Sequence, residues 1–277
     1  MTAHFGARLT RALDERGSLC VGIDPHPELF AAWDLPDDAA GLGRFAETCV
    51  AAFADLAAVV KPQSAFFERH GSAGIAVLER TVASCRAAGA LVILDVKRGD
   101  IGSTMAAYAR AYLDPAAPLA ADAITLSPYL GVGSLDPAFD LARTHGGGVF
   151  VLALTSNPEG AQVQHAVTSG TRSVAQSVVD DVAQRNAGAD PLGSFGVVAG
   201  ATIGMSVACF DALNGPLLVP GIGAQGGTPA DVRRIFGAAL PAVVPSVSRE
   251  ILRSGPDPAR LRAAVASYAE QFAFLRR

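Results

Sequence analysis

Residues 91–104 read LVILDVKRGDIGST. The stretch opens as a β-branched apolar run, then sets Asp95, Lys97, Arg98 and Asp100 within six residues. A short, continuously apolar run is the pattern of a strand covered on both faces. Charge at the end of such a strand needs partners of opposite sign, and the order acid, base, base, acid supplies them. Ordinary salt bridges or solvated loop residues are one reading of these charges; a functional cluster is the other. Asp95 and Lys97 stand two apart, so a regular strand sends both side chains from the same face.

Seven further apolar runs lie on either side of this one, at 19–23, 57–61, 122–126, 149–154, 195–200, 216–220 and 242–247. Ala-rich segments of helical period separate them, at 43–58, 73–89, 104–113, 169–186, 229–237 and 257–276. Pro229 follows Thr228 at the start of one of these, the order expected at a helix N-terminus. Eight strand–helix repeats over 277 residues predict a single α/β domain, a (β/α)8 TIM barrel spanning 1–277. An open doubly wound sheet is the alternative. Its usual glycine fingerprint after the first strand is absent, because that position reads GIDPHP. The stretch 157–195, rich in Gly, Gln, Ser and Thr around one helix, is expected to be a barrel insertion and a candidate lid.

Half of the residues are hydrophobic and 17% are charged, which suits a large buried core. The formal net charge is −4, and no basic stripe or arm marks a nucleic-acid partner. No apolar run approaches the length of a membrane span, and the first residues lack the apolar centre of a secretion signal. Cys20, Cys49, Cys85 and Cys209 are widely spaced without a CxxC pair, so free thiols in a reducing cytoplasm are expected, and no zinc site.

Barrels place their active sites at the C-terminal ends of the strands. Those ends carry Asp24, Lys61, the pair Asp95 and Lys97 with Asp100 beyond, Thr155–Ser156–Asn157, the loop VPGIGAQGG at 219–227, and Ser248–Arg249. The glycines of the loop permit the tight turns of an anion-binding nest. Arg249 from the next strand would bring a forked cation to the same anion, with Gln225 as an amide donor. Phosphate sites of barrels often lie after strands seven and eight.

DVKRGDIGST fits D-x-K-x-x-D-I-x-x-T, and with PGIGAQGG, GIDPHP and VPSVSREIL it resembles the orotidine 5′-phosphate decarboxylase family, in its longer bacterial subgroup, over essentially the whole chain. The resemblance implies decarboxylation of orotidine 5′-phosphate to UMP without metal or organic cofactor. It implies Lys97 as the acid that protonates C6, Asp95 beside the departing carboxylate, and Lys61 and Asp100 completing an alternating Lys-Asp-Lys-Asp array. It implies a homodimer in which Asp100, Ile101 and Thr104 reach the partner's site. Asp24 and Lys61 would hold ribose hydroxyls, Ser156 the pyrimidine amide, and Gln225 and Arg249 the phosphate, with Pro220 bordering the base. Many members have glycine before the phosphate arginine, where this chain has Ser248, and Arg98 adds a fourth charge to the motif. Two other readings compete. One is a barrel enzyme of sugar phosphates working through a metal-stabilised enediolate; the other is a non-catalytic barrel that binds a phosphorylated ligand. His26, His70, His145 and His165 are expected to be surface or loop residues.

Overall fold

All eight expected strands form and close on themselves. They are β1 (Cys20–Ile23), β2 (Val59–Pro62), β3 (Leu91–Arg98), β4 (Ala123–Leu126), β5 (Gly148–Leu154), β6 (Phe195–Ala199), β7 (Leu217–Val219) and β8 (Val243–Val247), each parallel to its neighbours, with β8 paired to β1. The structure, a computed structural model, describes residues 3–203 and 208–276. Closure excludes the open doubly wound sheet and gives the (β/α)8 barrel.

The helices are α1 (Phe5–Arg16), α2 (Pro27–Ala32), α3 (Ala39–Phe53), α4 (Ser64–Glu68), α5 (Gly71–Ala87), α6 (Gly102–Leu113), α7 (Asp136–His145), α8 (Ala161–Gln164), α9 (Val174–Arg185), α10 (Pro229–Phe236), α11 (Arg249–Leu252) and α12 (Pro258–Gln271). Helix α3 starts earlier than its apolar period suggests, because the Asp38 carboxylate caps it by accepting from the Gly41 N–H. Helix α10 begins as expected, with Thr228 and Asp231 forming a reciprocal capping box and Pro229 in the first turn.

The barrel interior is layered, and the layers explain where the site lies. One layer takes a residue from each strand: Cys20, Val59, Ile93, Ala123, Phe150, Val198, Leu218 and Val244. All are buried and apolar, and helix α1 packs Phe5, Leu9 and Leu13 beneath them as a plug. The sequence reading did not single out this helix. Phe5 fits because β5 begins with a glycine: a Cβ at Gly148 would stand 2.4 Å from its ring. Two residues further along four of the strands, the inward positions become Lys61, Asp95, Thr125 and Ser246. The period of two that fills the lower layer with apolar groups therefore delivers polar ones to the mouth.

The segment expected to be an insertion divides in two. Residues 157–173 are irregular apart from a single turn of 3-10 helix and α8, with a bridge between Val167 and Ser173. Helix α9, in contrast, is an ordinary barrel helix packed on β5 and β6 through Ala175, Val178, Val179 and Val182. Gln164 ties the first part to the end of β5: its Oε1 accepts from the Thr155 N–H at 2.9 Å and its Nε2 donates to Thr155 Oγ1 at 2.7 Å.

Candidate active site

Asp95 is the centre of the mouth. Its Oδ2 accepts from Lys61 Nζ at 3.0 Å and its Oδ1 from Lys97 Nζ at 2.7 Å. Lys61 is buried and also faces Asp24, whose Oδ1 lies 3.8 Å from its Nζ. Burial alone would raise the Asp95 pKa, but Lys61, Lys97 and the hydrogen bonds of Lys97 and Thr125 hold it far below its ordinary 3.8. Burial alone would lower the Lys61 pKa, but Asp24 and Asp95 carry it above its ordinary 10.5. The interior thus holds an ionised carboxylate against two ammonium groups in fixed positions.

Lys97 reaches Asp95 by a less regular route than strand alternation. Its φ is +46°, and the β3–β4 register shifts between Leu94 and Arg98. The left-handed region costs a side-chain-bearing residue roughly 1–2 kcal/mol, so neighbouring contacts must hold it. The Lys97 N–H donates to Thr125 Oγ1 at 3.0 Å. Arg98 anchors the following residue: its guanidinium donates to Glu68 Oε1 at 2.6 Å and to the Val96 carbonyl at 3.2 Å, over the Tyr108 ring. The fourth charge of the motif therefore braces the strand end outside the mouth.

Asp24, Lys61, Pro220, Gln225, Ser248 and Arg249 line one cavity. Asp24 Oδ1 is buried there without a hydrogen-bond donor. Among the described residues, Arg249 has no carboxylate within ion-pair range. The glycine-rich loop turns as expected, with positive φ at Gly221, Gly223 and Gly226. It is a less open nest than its sequence suggested, because the N–H groups of Gly223, Ala224, Gly226 and Gly227 donate to carbonyls inside the loop. The side chains of Gln225 and Arg249 line the same cavity. Ser156 joins this group: its Oγ donates to Gln225 Oε1 at 2.6 Å, linking the end of β5 to the loop after β7.

Three expected residues stand apart. The Asp100 carboxylate turns to the Ile101 N–H at 2.8 Å, and among the described residues it makes no ion pair with Lys97 of its own chain. Ile101 is 62% exposed, and Thr104 is exposed in the first turn of α6.

Sequence reasoning missed four lining groups. Thr125 Oγ1 donates to Asp95 Oδ1 at 2.7 Å. Gln63, turned so that its amide nitrogen faces Asp95, accepts from Lys97 Nζ at 3.2 Å. Ser246 lines the cavity beside Cys20, its partner on the adjacent strand, where burial pushes the thiol pKa up to about 12. His26 lies in the loop between β1 and α2, as expected, and there lines the cavity against Phe66, with its pKa lowered by burial and by Arg249. The available signal was register: Thr125 and Ser246 are polar residues inside otherwise apolar strands.

The sequence profile of the Orotidine 5′-phosphate decarboxylase / HUMPS family matches residues 17–264. Orotidine 5′-phosphate decarboxylase of Salinispora arenicola is 66% identical over 260 residues, 94% of each chain. That of Streptomyces coelicolor is 64% identical over 266 residues, 96% of this chain and 95% of the other. A solved structure from Streptomyces avermitilis superposes with a TM-score of 0.96 at 60% identity, covering 99% of this chain and 96% of the other. The Leishmania donovani OMP decarboxylase gives a TM-score of 0.77 at 31% identity over 99% of both chains. The chain belongs to the orotidine 5′-phosphate decarboxylase / HUMPS family.

Proposed function

We propose that this chain decarboxylates orotidine 5′-phosphate to UMP and CO2, the closing step of UMP biosynthesis, as a single barrel domain in the cytoplasm. The relatives at 63–66% identity that carry this name support the activity. The observation that carries the chemistry is Asp95 held between Lys61 and Lys97. Loss of CO2 leaves an electron pair at C6 of a ring with no good electron sink. An ammonium fixed at that carbon stabilises the developing charge and then gives its proton to C6. Lys97 is the group for this role, since it projects into the mouth while Lys61 is buried beneath. Solvent then returns a proton to Lys97. No step in this scheme calls for a metal or an organic cofactor.

Binding follows from the cavity. Asp24 Oδ1, buried and without a donor, suits a ribose hydroxyl, with Lys61 beside it. Arg249 and Gln225 suit the phosphate, Pro220 the edge of the base, and Ser156, through its bond to Gln225, the pyrimidine amide. Grip on the remote phosphate contributes binding energy that can hold the reacting carbon against Lys97.

The partner is a second copy of the chain. Asp100 accepts from the Ile101 N–H and, among the described residues, makes no ion pair with its own Lys97; near it in the chain and across the adjoining turn stand exposed apolar residues, Ile101, Tyr129 at 80% and Leu130 at 53% exposure. The turns carrying them touch, with the Ser127 N–H donating to the Arg98 carbonyl at 2.7 Å. Pairing through this face would cover the apolar residues and carry Asp100, Ile101 and Thr104 to the neighbour's mouth. The cysteines are free thiols, which suits a reducing compartment.

The test is the loss of orotidine 5′-phosphate absorbance with and without EDTA. Turnover unaffected by EDTA is expected. Turnover abolished by EDTA and restored by a divalent cation would favour the enediolate chemistry of sugar phosphates, and UMP binding without turnover would favour a non-catalytic barrel.

A further inference from the structure

The hydroxyl of Thr125 closes a ring of contacts with the two central charges of the mouth. It accepts from the Lys97 backbone N–H at 3.0 Å and donates to Asp95 Oδ1 at 2.7 Å. The same Oδ1 accepts from Lys97 Nζ at 2.7 Å. Thr125 thus bonds the backbone of Lys97 at one end and the partner of its ammonium at the other. It lies on β4, opposite the irregular end of β3, and is 1% exposed. Water therefore has no room to take over its bonds.

A hydroxyl has one proton and two lone pairs, so both directions are defined here. The proton goes to the ionised Asp95, and a lone pair receives the Lys97 N–H. That N–H belongs to the residue with φ of +46°, a conformation that an L-residue keeps only where its surroundings impose it. A strand in regular register would spend this N–H on its neighbour's backbone. Here the register breaks, and the Thr125 side chain replaces the missing acceptor. The left-handed turn at Lys97 bends the chain so that the ammonium returns over Asp95.

We propose that Thr125 is a positioning residue for decarboxylation: it holds the backbone of Lys97 and the carboxylate of Asp95 in the one relative placement that sets the ammonium at the reacting carbon. It touches no substrate. The proposal rests on Lys97 being the proton donor. Its signature is a loss confined to the chemical step, because phosphate and ribose are gripped on the other side of the mouth, by Arg249, Gln225 and Asp24.

Thr125→Val keeps the shape and removes both hydrogen bonds; Thr125→Ser keeps the hydroxyl and removes a methyl group. For Thr125→Val, kcat falls on the order of 10- to 100-fold, the scale on which misplacing a reacting group acts. KM for orotidine 5′-phosphate and the affinity for UMP stay at the parent values. Thr125→Ser restores kcat to near the parent rate. Should the valine variant not fold, Thr125→Ser against Thr125→Ala makes the same comparison of hydroxyl with none. Parent-rate turnover without the hydroxyl overturns the proposal, as does a serine variant as slow as the one lacking the hydroxyl. UMP affinity falling in proportion to kcat also overturns it, since that marks general damage to the mouth. Lys97→Ala is assayed alongside. If it is inactive while Thr125→Val is unimpaired, the positioning role alone fails; if it is fully active, the reading of Lys97 fails and this role with it.

Discussion

Ser248 occupies the space above Gly22: a Cβ at position 22 would stand 1.8 Å from the Ser248 hydroxyl oxygen and 2.8 Å from its Cβ. The two lie side by side at the mouth, one residue beyond the β1–β8 pair Val21 and Val247. A serine before Arg249 is thus accommodated by a glycine on the adjacent strand. Gly22→Ala should destabilise the fold by about 1–3 kcal/mol, the range for overpacking a tight interior. Adding Ser248→Gly should recover most of that loss. Urea unfolding of the single and double variants checks the pair, and a double variant no more stable than Gly22→Ala would show that the contact is not what excludes a side chain at 22.

Arg249 and Gln225 should separate binding of the phosphate from binding of the rest. Each alanine variant should raise KM for orotidine 5′-phosphate by about 10- to 100-fold, the worth of one hydrogen bond to a charged group. Reaction of the nucleoside lacking phosphate should hardly change. Steady-state kinetics on both substrates checks this, and equal losses on the two would remove these side chains from the phosphate site.

Asp95 ties stability to acid pH. Its pKa in the folded chain is depressed by Lys61 and Lys97 below the ordinary 3.8. A depressed carboxylate contributes stability that is present above its unfolded pKa and lost as pH falls through the folded one. The parent should therefore lose stability progressively below about pH 4. In Asp95→Asn this component should be missing, so its stability should fall less steeply over the same range. Urea midpoints from pH 6 downward measure the difference; parallel curves would mean that the lysines do not depress the Asp95 pKa in the folded chain.

The architecture was legible because each strand, covered on both faces, is a continuous apolar run. The charged strand ends were legible for the opposite reason, since Asp95 and Lys97 interrupt such a run. Other features follow from three-dimensional register. Thr125 reads as one more residue of a β-rich run until β4 is set beside β3. The left-handed backbone at Lys97 carries no sequence signal, because nothing in a lysine favours it. The N-terminal helix escaped notice although Phe5, Leu9 and Leu13 have helical spacing; it plugs the barrel instead of alternating with a strand. The loop at 219–227 shows the converse. Its glycines marked the turns correctly, but half of what they implied, free N–H groups, is consumed within the loop.

Two subunits should share each site. Lys97→Ala and Asp100→Ala subunits, each inactive alone, should recover activity when mixed and allowed to exchange. Both lesions then fall in one site of the mixed dimer and leave the other intact. With exchange confirmed by a mass or affinity tag, no recovery would mean that each chain uses its own Asp100.

The most direct measurement is turnover of orotidine 5′-phosphate by Lys97→Ala beside the parent, with folding of both verified by circular dichroism. The Lys97 side chain is 44% exposed at the mouth, so its removal should leave the barrel intact. The account predicts a fall in kcat of at least the 10²- to 10⁴-fold typical of losing a general acid, with UMP still bound. A folded Lys97→Ala chain that releases CO2 at the parent rate would contradict it.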